Sequence, residues 1–330
     1  MFLSDRTVER LRSLDAEPDL TGTRYRLGER IARGGMGTVY SVQDTALDRS
    51  VALKVLHAPD PRGELATRLL REARILADLE HPGIVPVHDV GTLADGRVFY
   101  TMKLVRGKRL DHYLENVAAL PDRLRIFQKI CDAVAFAHAH GVLHRDLKPA
   151  NIMVGAFGEV LVMDWGVAKV FQDAKTAITA AGTPGRDTLG SSEETPRMAD
   201  TADGAVLGTP GYMSPEQARG EIASLDQRAD IYALGAILRF LVSSAHAPTM
   251  PRAVAAICSK AMAPDPDQRY PDVQQLSADV ASYLDGLPVA AYPEGPLARM
   301  WRWVSRNRTW VLLILAYLIM RAALFLWRGR

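Results

Sequence analysis

The sequence predicts an α+β chain of two lobes, a small β-rich part followed by a larger helical part, with a hydrophobic helix at the C-terminus. Three observations predict it. Residues 25–105 hold short β-branched runs interrupted by one strong helix. Residues 106–285 are mostly apolar at helical spacing. Residues 310–327 contain a single polar residue, Arg321.

The elements follow in chain order. Met1 to Leu14 is charged throughout and has no apolar run, so residues 1–24 read as an N-terminal extension without a cleavable signal. The β-branched runs are Val39–Val42, Val51–Val55, Ile84–Val90 and Val98–Leu104. Between them, Gly63 to Leu79 predicts a helix with Leu65, Leu69, Ala73 and Leu76 on one face and Arg and Glu on the other. Leu124–Ala139 and Ile231–Val242 are the clearest helices of the second lobe. Residues 173–205 are rich in Ala, Gly, Asp and Pro and hold eight Ser/Thr, which predicts a loop. The Pro/Gly-rich stretch 286–298 predicts a linker that continues into a juxtamembrane segment to 309.

Composition excludes several classes. Of 330 residues, 48% are hydrophobic and 24% charged, enough for a sizeable core and incompatible with a mainly disordered or fibrous chain. Two cysteines, Cys131 and Cys258, exclude a disulfide scaffold and a four-thiolate zinc site, and fit a reducing compartment. The net charge is +2, but seven arginines and no acids lie from Arg299 onward; removing those seven leaves 33 bases against 38 acids. A mildly acidic body with a basic tail argues against a nucleic-acid partner.

The tail is expected to cross a membrane once. Eighteen helical residues rise about 27 Å, close to the roughly 30 Å hydrocarbon core. Trp301, Trp303, Trp310 and Trp327 stand where an interfacial belt would lie, and Arg302, Arg306 and Arg308 would hold the body on the cytoplasmic side of an inner or plasma membrane. Arg321, about two turns from the far end, is placed to snorkel outward. The other form open to this segment is an amphipathic helix lying on the membrane or packed on the body. Three residues follow Trp327, so sensing is expected through partners, dimerisation or the cytoplasmic side.

The chemistry-bearing residues come in clusters. Ala32-Arg33-Gly34-Gly35-Met36-Gly37-Thr38-Val39 is a glycine turn between two β runs, where backbone N–H groups can approach phosphates. Val51-Ala52-Leu53-Lys54-Val55 places a lysine in an apolar run, where it needs a partner; Glu72 stands 18 residues on in the helix. His144-Arg145-Asp146-Leu147-Lys148-Pro149-Ala150-Asn151 follows the helix ending near Ala139, and Asp164-Trp165-Gly166 stands 18 residues past Asp146. Magnesium takes hard oxygen ligands, and phosphoryl transfer needs positive charge on phosphates and a group to receive a hydroxyl proton.

On these motifs the chain resembles the bacterial eukaryotic-like (Hanks-type) serine/threonine protein kinases over about Tyr25 to Leu284. The resemblance implies a two-lobed protein kinase fold, with an N-lobe over 25–105, a C-lobe over 106–285 and a long activation segment over 164–216. It implies ATP and Mg2+ as cofactors and transfer to Ser or Thr hydroxyls of protein substrates. Asp146 matches the catalytic base, Lys148 the Ser/Thr-type lysine beside it, and Asn151 and Asp164 the magnesium ligands. Ala32, Gly34, Gly35, Met36, Gly37, Val39 and Ala52 would surround the nucleotide. Lys54 would hold its phosphates with Glu72 as partner, Met102 would gate the adenine pocket, and Lys103 to Val105 would be the hinge. Thr209, in the run Gly208-Thr209-Pro210-Gly211-Tyr212-Met213, would receive the substrate. Glu216, paired with Arg269, and Asp230, bracing the catalytic loop, would be structural. His144 is expected to pack rather than react, Cys131 to fill the core, and His138 and His140, two apart, to lie on the helix surface.

The departures carry their own expectations. Ala32 replaces the first loop glycine and Trp165 the usual phenylalanine. The activation segment is 53 residues long and offers Thr183, Thr188, Thr195, Thr201 and Thr209 as phosphosites beside Arg145. Only 39 residues separate Asp230 from Arg269, with Ser243 to Pro248 standing for a helix-G region; this shortened edge is expected to expose an apolar patch. Autophosphorylation, with a homodimer to support it, is the expected first reaction. The alternative is a catalytically impaired pseudokinase acting as a nucleotide-binding membrane scaffold, which the shortened region after Asp230 favours and the complete set Lys54, Glu72, Asp146, Asn151 and Asp164 argues against. A kinase of small molecules would lack the segment 208–216 that serves peptides.

Overall fold

The computed structural model describes residues 17–60, 62–114, 119–165, 169–170, 211–221, 225–243, 250–293, 295 and 308–328. In the first lobe, β1 (Tyr25–Arg33), β2 (Gly37–Asp44), β3 (Arg49–Leu56), β4 (Val87–Thr92) and β5 (Val98–Lys103) form an antiparallel sheet in the order β1-β2-β3-β5-β4. Strand alternation explains both of its faces. Val51, Leu53 and Val55 of β3 join Tyr25, Tyr40, Val42 and Phe99 in an outer cluster, over which Leu20 of the N-terminal segment folds. Ala52 and Leu56 point the other way, toward α1 (Glu64–Asp78).

Helix α1 begins without a capping side chain on Gly63, but the Asp60 carboxylate accepts from the Leu65 and Ala66 amides and satisfies two of the free N–H groups of its first turn. Its buried stripe is Leu69, Glu72, Ala73, Ile75 and Leu76. Leu65, expected on that stripe, shares its phase but stands in the first turn and is 40% exposed.

The second lobe is built around α3 (Leu120–Ala139), preceded by β6 (Gly107–Arg109) and the short α2 (Leu110–Tyr113). Leu124, Phe127, Ile130, Cys131, Val134 and Ala137 recur at helical spacing and are buried against the helices Gln227–Val242 and Val273–Leu284 and the strand Val160–Val162. Each of the buried Leu, Phe, Ile and Val side chains contributes roughly 1.5–3 kcal/mol. The catalytic segment runs through β7 (Val142–Leu143), β8 (Ile152–Gly155) and β9 (Val160–Val162), with β10 (Lys169–Val170) paired to β7. Then come α4 (Pro215–Ala218), α5 (Gln227–Val242), α6 (Arg252–Ala261) and α7 (Val273–Leu284). One apolar cluster runs unbroken from Ala52 and Met102 of the sheet through α1 into these helices. The Val162 amide donating to Gly83 O (2.8 Å) ties the segment after α1 to β9.

Among the described residues α6 is the next element after α5, and residues 244–249 between them lie outside the described residues. The apolar patch expected there is absent among the described residues: no large hydrophobic of α5 or α6 is exposed. Residues 286–293, expected as the start of a linker, fold back on the lobe. Val289 is buried, and the Asp279 carboxylate accepts from the Ala290 and Ala291 amides (2.8 and 3.0 Å) and from the Tyr270 hydroxyl (2.8 Å). Proline and glycine there shape a turn whose amides have a buried acceptor.

Residues Arg308–Arg328 form α8. Leu312, Leu313, Ile314, Tyr317, Leu318, Ile319, Met320 and Trp327 on it are exposed. Among the described residues no helix is long and apolar enough to cross a membrane.

Candidate active site

The glycine turn sits between β1 and β2. Ala32 pairs with Val39, and the Gly34 amide donates to Gly37 O (2.9 Å), closing the tip over Gly35 and Met36. Gly37 faces Leu56 of β3, where a Cβ would stand 2.4 Å from Val55 O. Gly37→Ala is therefore expected to force β2 off β3 and lower the melting temperature by several degrees, measured by thermal unfolding; an unchanged midpoint would count against this packing.

Lys54 points from β3 toward α1. Its ammonium donates to both Glu72 oxygens (2.7 and 2.9 Å) and lies 3.7 Å from Asp164 Oδ1. Glu72 is almost wholly buried and takes a third bond from the Tyr100 hydroxyl (2.8 Å). Tyr100 is opposite Lys54 across the β3–β5 ladder, and burial pushes its phenol well above the usual range. Met102 pairs with Ala52, and the Lys103 amide donates to Pro86 O, which fixes the strand end that leads into Leu104 and Val105.

The second half of the site is the turn after β7. Lys148 Nζ donates to Asp146 Oδ2 (2.6 Å). Asn151 Nδ2 donates to Asp146 O (2.9 Å), and Asn151 O accepts from the Met163 amide, one residue before Asp164. Arg145 and Asp164 hold positive φ (68° and 60°), an arrangement that costs of order 1–3 kcal/mol each and survives where neighbours over-determine it. At Arg145, Asp230 in the first turn of α5 supplies that constraint. Its two oxygens accept from the His144 and Arg145 amides (2.8 Å each), and Gln217 of α4 donates to Arg145 O (2.9 Å). Burial alone would raise the Asp230 carboxyl; the hydrogen bonds from His138 and the Arg145 amide work against burial, and the carboxyl is held below the usual carboxylate value. His144 Nε2 lies 3.0 Å from Met163 O and its Nδ1 3.3 Å from the Asp146 amide. A carbonyl only accepts and an amide only donates, so the ring carries its proton on Nε2 and ties the turn at Asp146 to the segment after β9. Trp165 is buried against the His144 ring and donates its indole N–H to Val162 O.

Behind the site, Glu216 and Arg269 form a bidentate pair (2.6 and 2.8 Å), with Arg269 fully buried and also donating to Ala263 O, Pro264 O and Arg228 O. Ser214 opens α4 with a capping box closed by Gln217.

The family model described as the protein kinase domain matches residues 25–287. The chain belongs to the protein kinase family. Serine/threonine-protein kinase PknD of Chlamydia muridarum is 38% identical over 302 residues, covering 80% of this chain and 32% of that protein. PknD of Chlamydia abortus is 35% identical over 302 residues, covering 80% and 31%. The chain thus spans about a third of the length of these curated relatives. The structure of the Mycobacterium tuberculosis PknI kinase domain superposes with a TM-score of 0.53 at 24% identity, over 78% of this chain and 95% of that one, and shares the fold.

The kinase domain brings Lys54, Glu72 and Asp164 together in one cluster and Asp146, Lys148 and Asn151 in another, joined through the Met163 amide on Asn151 O, with Asp230 and the Glu216–Arg269 pair behind them. Thr209, Gly166 and the other candidate phosphosites Thr183, Thr188, Thr195 and Thr201 lie outside the described residues. The expectation for His138 is corrected: its side chain is buried and bonds Asp230 Oδ2 (2.8 Å), because the turn of α3 that carries it packs on α5. His140 is exposed as expected. Tyr100 and Gln217 were not expected. The signal for Tyr100 was its even spacing from Met102 in β5, which puts both on the face that Lys54 uses.

Magnesium fits the donor set. Asn151 spends its Nδ2 on Asp146 O, which leaves its carbonyl oxygen as a ligand, and the Asp164 carboxylate is half-exposed. Two protein oxygens are the few ligands that a magnesium ion sharing phosphates and waters requires. Among the described residues no group of three or more His, Cys, Asp or Glu is placed to hold a metal.

Proposed function

We propose that this domain transfers the γ-phosphoryl group of ATP to Ser or Thr hydroxyls of proteins, with its own activation segment as the first substrate. The convergence of the Lys54–Glu72 pair, Asp164 and the Asp146–Lys148–Asn151 turn carries this reading. ATP would lie under the glycine turn, its adenine against the sheet face that carries Ala52 and Met102 and its phosphates toward Lys54. Asn151 and Asp164 would hold magnesium, which supplies charge neutralisation on the β- and γ-phosphates when bound. The substrate hydroxyl forms the new O–P bond as the bond to the leaving ADP oxygen breaks, and its proton passes to the Asp146 carboxylate. Lys148, at 2.6 Å from that carboxylate, sets a positive charge beside the transferring group. Lys54→Met is expected to lower transfer of radiolabelled γ-phosphate about 100-fold; activity within twofold of wild type would reject the role given to Lys54.

We further propose that the chain is held at the inner face of a membrane through α8, where two copies meet and phosphorylate one another. The sequence 310–327, with one polar residue, and the exposed side chains Leu312, Leu313, Ile314, Tyr317, Leu318, Ile319 and Met320 support attachment. Truncation after Arg308 is expected to move the protein from the membrane pellet to the supernatant. Recovery of the full chain in the supernatant would end the proposal.

A further inference from the structure

We infer that His57 is a positioning residue that clamps the phosphate-covering glycine turn, an inference that rests on the ATP reading above. Met36 packs against the core, but the tip at Gly34 and Gly35 has little packing to hold its shape. A Cβ on Gly35 would meet nothing among the described residues within 4 Å, and one on Gly34 would meet only Gly37 O at 3.6 Å. Glycines in open space leave the tip free to sample many conformations, and ordering it costs more than ordering other residues. Hydrogen bonds therefore fix it, and His57, the residue just past the end of β3, makes three of them.

The His57 amide donates to Met36 O (3.3 Å). Its ring Nε2 lies 2.9 Å from Gly34 O, and its Nδ1 lies 3.2 Å from Thr38 Oγ1. A carbonyl only accepts, so Nε2 carries the proton and Nδ1 accepts from the Thr38 hydroxyl. The ring thus spans the turn, gripping the residue before Gly35 and the residue after Gly37 from the same side. Thr38 is buried, so its hydroxyl offers a fixed anchor for one end of the ring. β3 also carries Lys54, three residues earlier, so one strand sets both the lysine and the cover above it. A cover held in its bound shape spares the nucleotide the cost of ordering it.

The test compares the full chain in detergent micelles with His57→Ala, His57→Gln and Thr38→Val, using calorimetric titration with two probes. Magnesium adenylyl-imidodiphosphate carries the phosphates; adenosine does not. The clamp predicts that His57→Ala weakens the phosphate-bearing probe about five- to tenfold and leaves adenosine unchanged. Thr38→Val should weaken it by a smaller factor, and His57→Gln, which offers a donor and an acceptor at similar reach, should recover most of the loss. Equal affinities in wild type and His57→Ala would overturn the clamp, as would a loss shared equally by adenosine. Failure of the wild-type chain to bind either probe would remove the ATP reading itself and the clamp with it.

Discussion

Replacing Asp146 with asparagine is expected to lower phosphoryl transfer about 10²–10⁴-fold while ATP binding stays within about twofold of wild type. The substitution keeps the shape of the side chain but removes the oxygen that can take the hydroxyl proton. The contacts that fix the turn are spared. Asn151 still reaches the main-chain oxygen of residue 146, and Asp230 still holds the amides of His144 and Arg145. A fall in turnover without a fall in nucleotide affinity is the signature of a group that acts in the transition state rather than in binding. Steady-state kinetics with labelled ATP, beside a direct binding measurement, separates the two. Turnover unchanged in the variant would remove Asp146 as the base.

Glu216→Gln is expected to be the most damaging change to stability away from the glycine turn. It leaves the Arg269 guanidinium, which is 0% exposed, without its carboxylate in the interior. Breaking a buried pair by removing one partner costs about 3–5 kcal/mol. For a domain of this size that lowers the melting temperature by roughly 6–20 °C. The same pair gives an acid dependence. Burial pushes the Glu216 carboxyl up, but the Arg269 hydrogen bonds and charge more than offset it and hold it below its ordinary value of 4.5. A carboxylate lowered on folding adds stability that is present above its unfolded value and lost as pH falls through its folded one. Wild-type stability should therefore drop as pH is lowered below about 4.5, and the drop should be shallower in Glu216→Gln. A variant that melts within 2 °C of wild type at neutral pH, measured by scanning calorimetry and circular dichroism, would contradict the role given to the pair.

Much of the site was legible because phosphoryl transfer demands particular charge types at fixed places. A lysine in an apolar strand, as at Lys54, advertises a buried partner, and Glu72 met that demand 18 residues on. Asp146, Lys148 and Asn151 fall within six residues because one tight turn must hold all three. The illegible parts depend on partners distant in sequence. His138 was placed on the surface by its spacing from His140, whereas its position is decided by Asp230, 92 residues away. The turn at 286–293 has the composition of a linker, and only the buried Asp279 reveals that it is folded. Leu65 shows the opposite limit. Its periodicity is correct, but helical phase says nothing of where the covering neighbour ends. His57 belongs to no motif, and its reach to Gly34 appears only once β3 is laid beside the turn.

The central claim is phosphoryl transfer to this chain's own Ser or Thr by the Asp146 site. The most direct measurement is peptide mass spectrometry of the full chain, first stripped of phosphate, then incubated with magnesium and ATP beside Asp146→Asn. The account predicts phosphate on Thr or Ser of residues 173–209 in the wild type and none in the variant. No phosphate in the wild type, or equal phosphate in both, would contradict it.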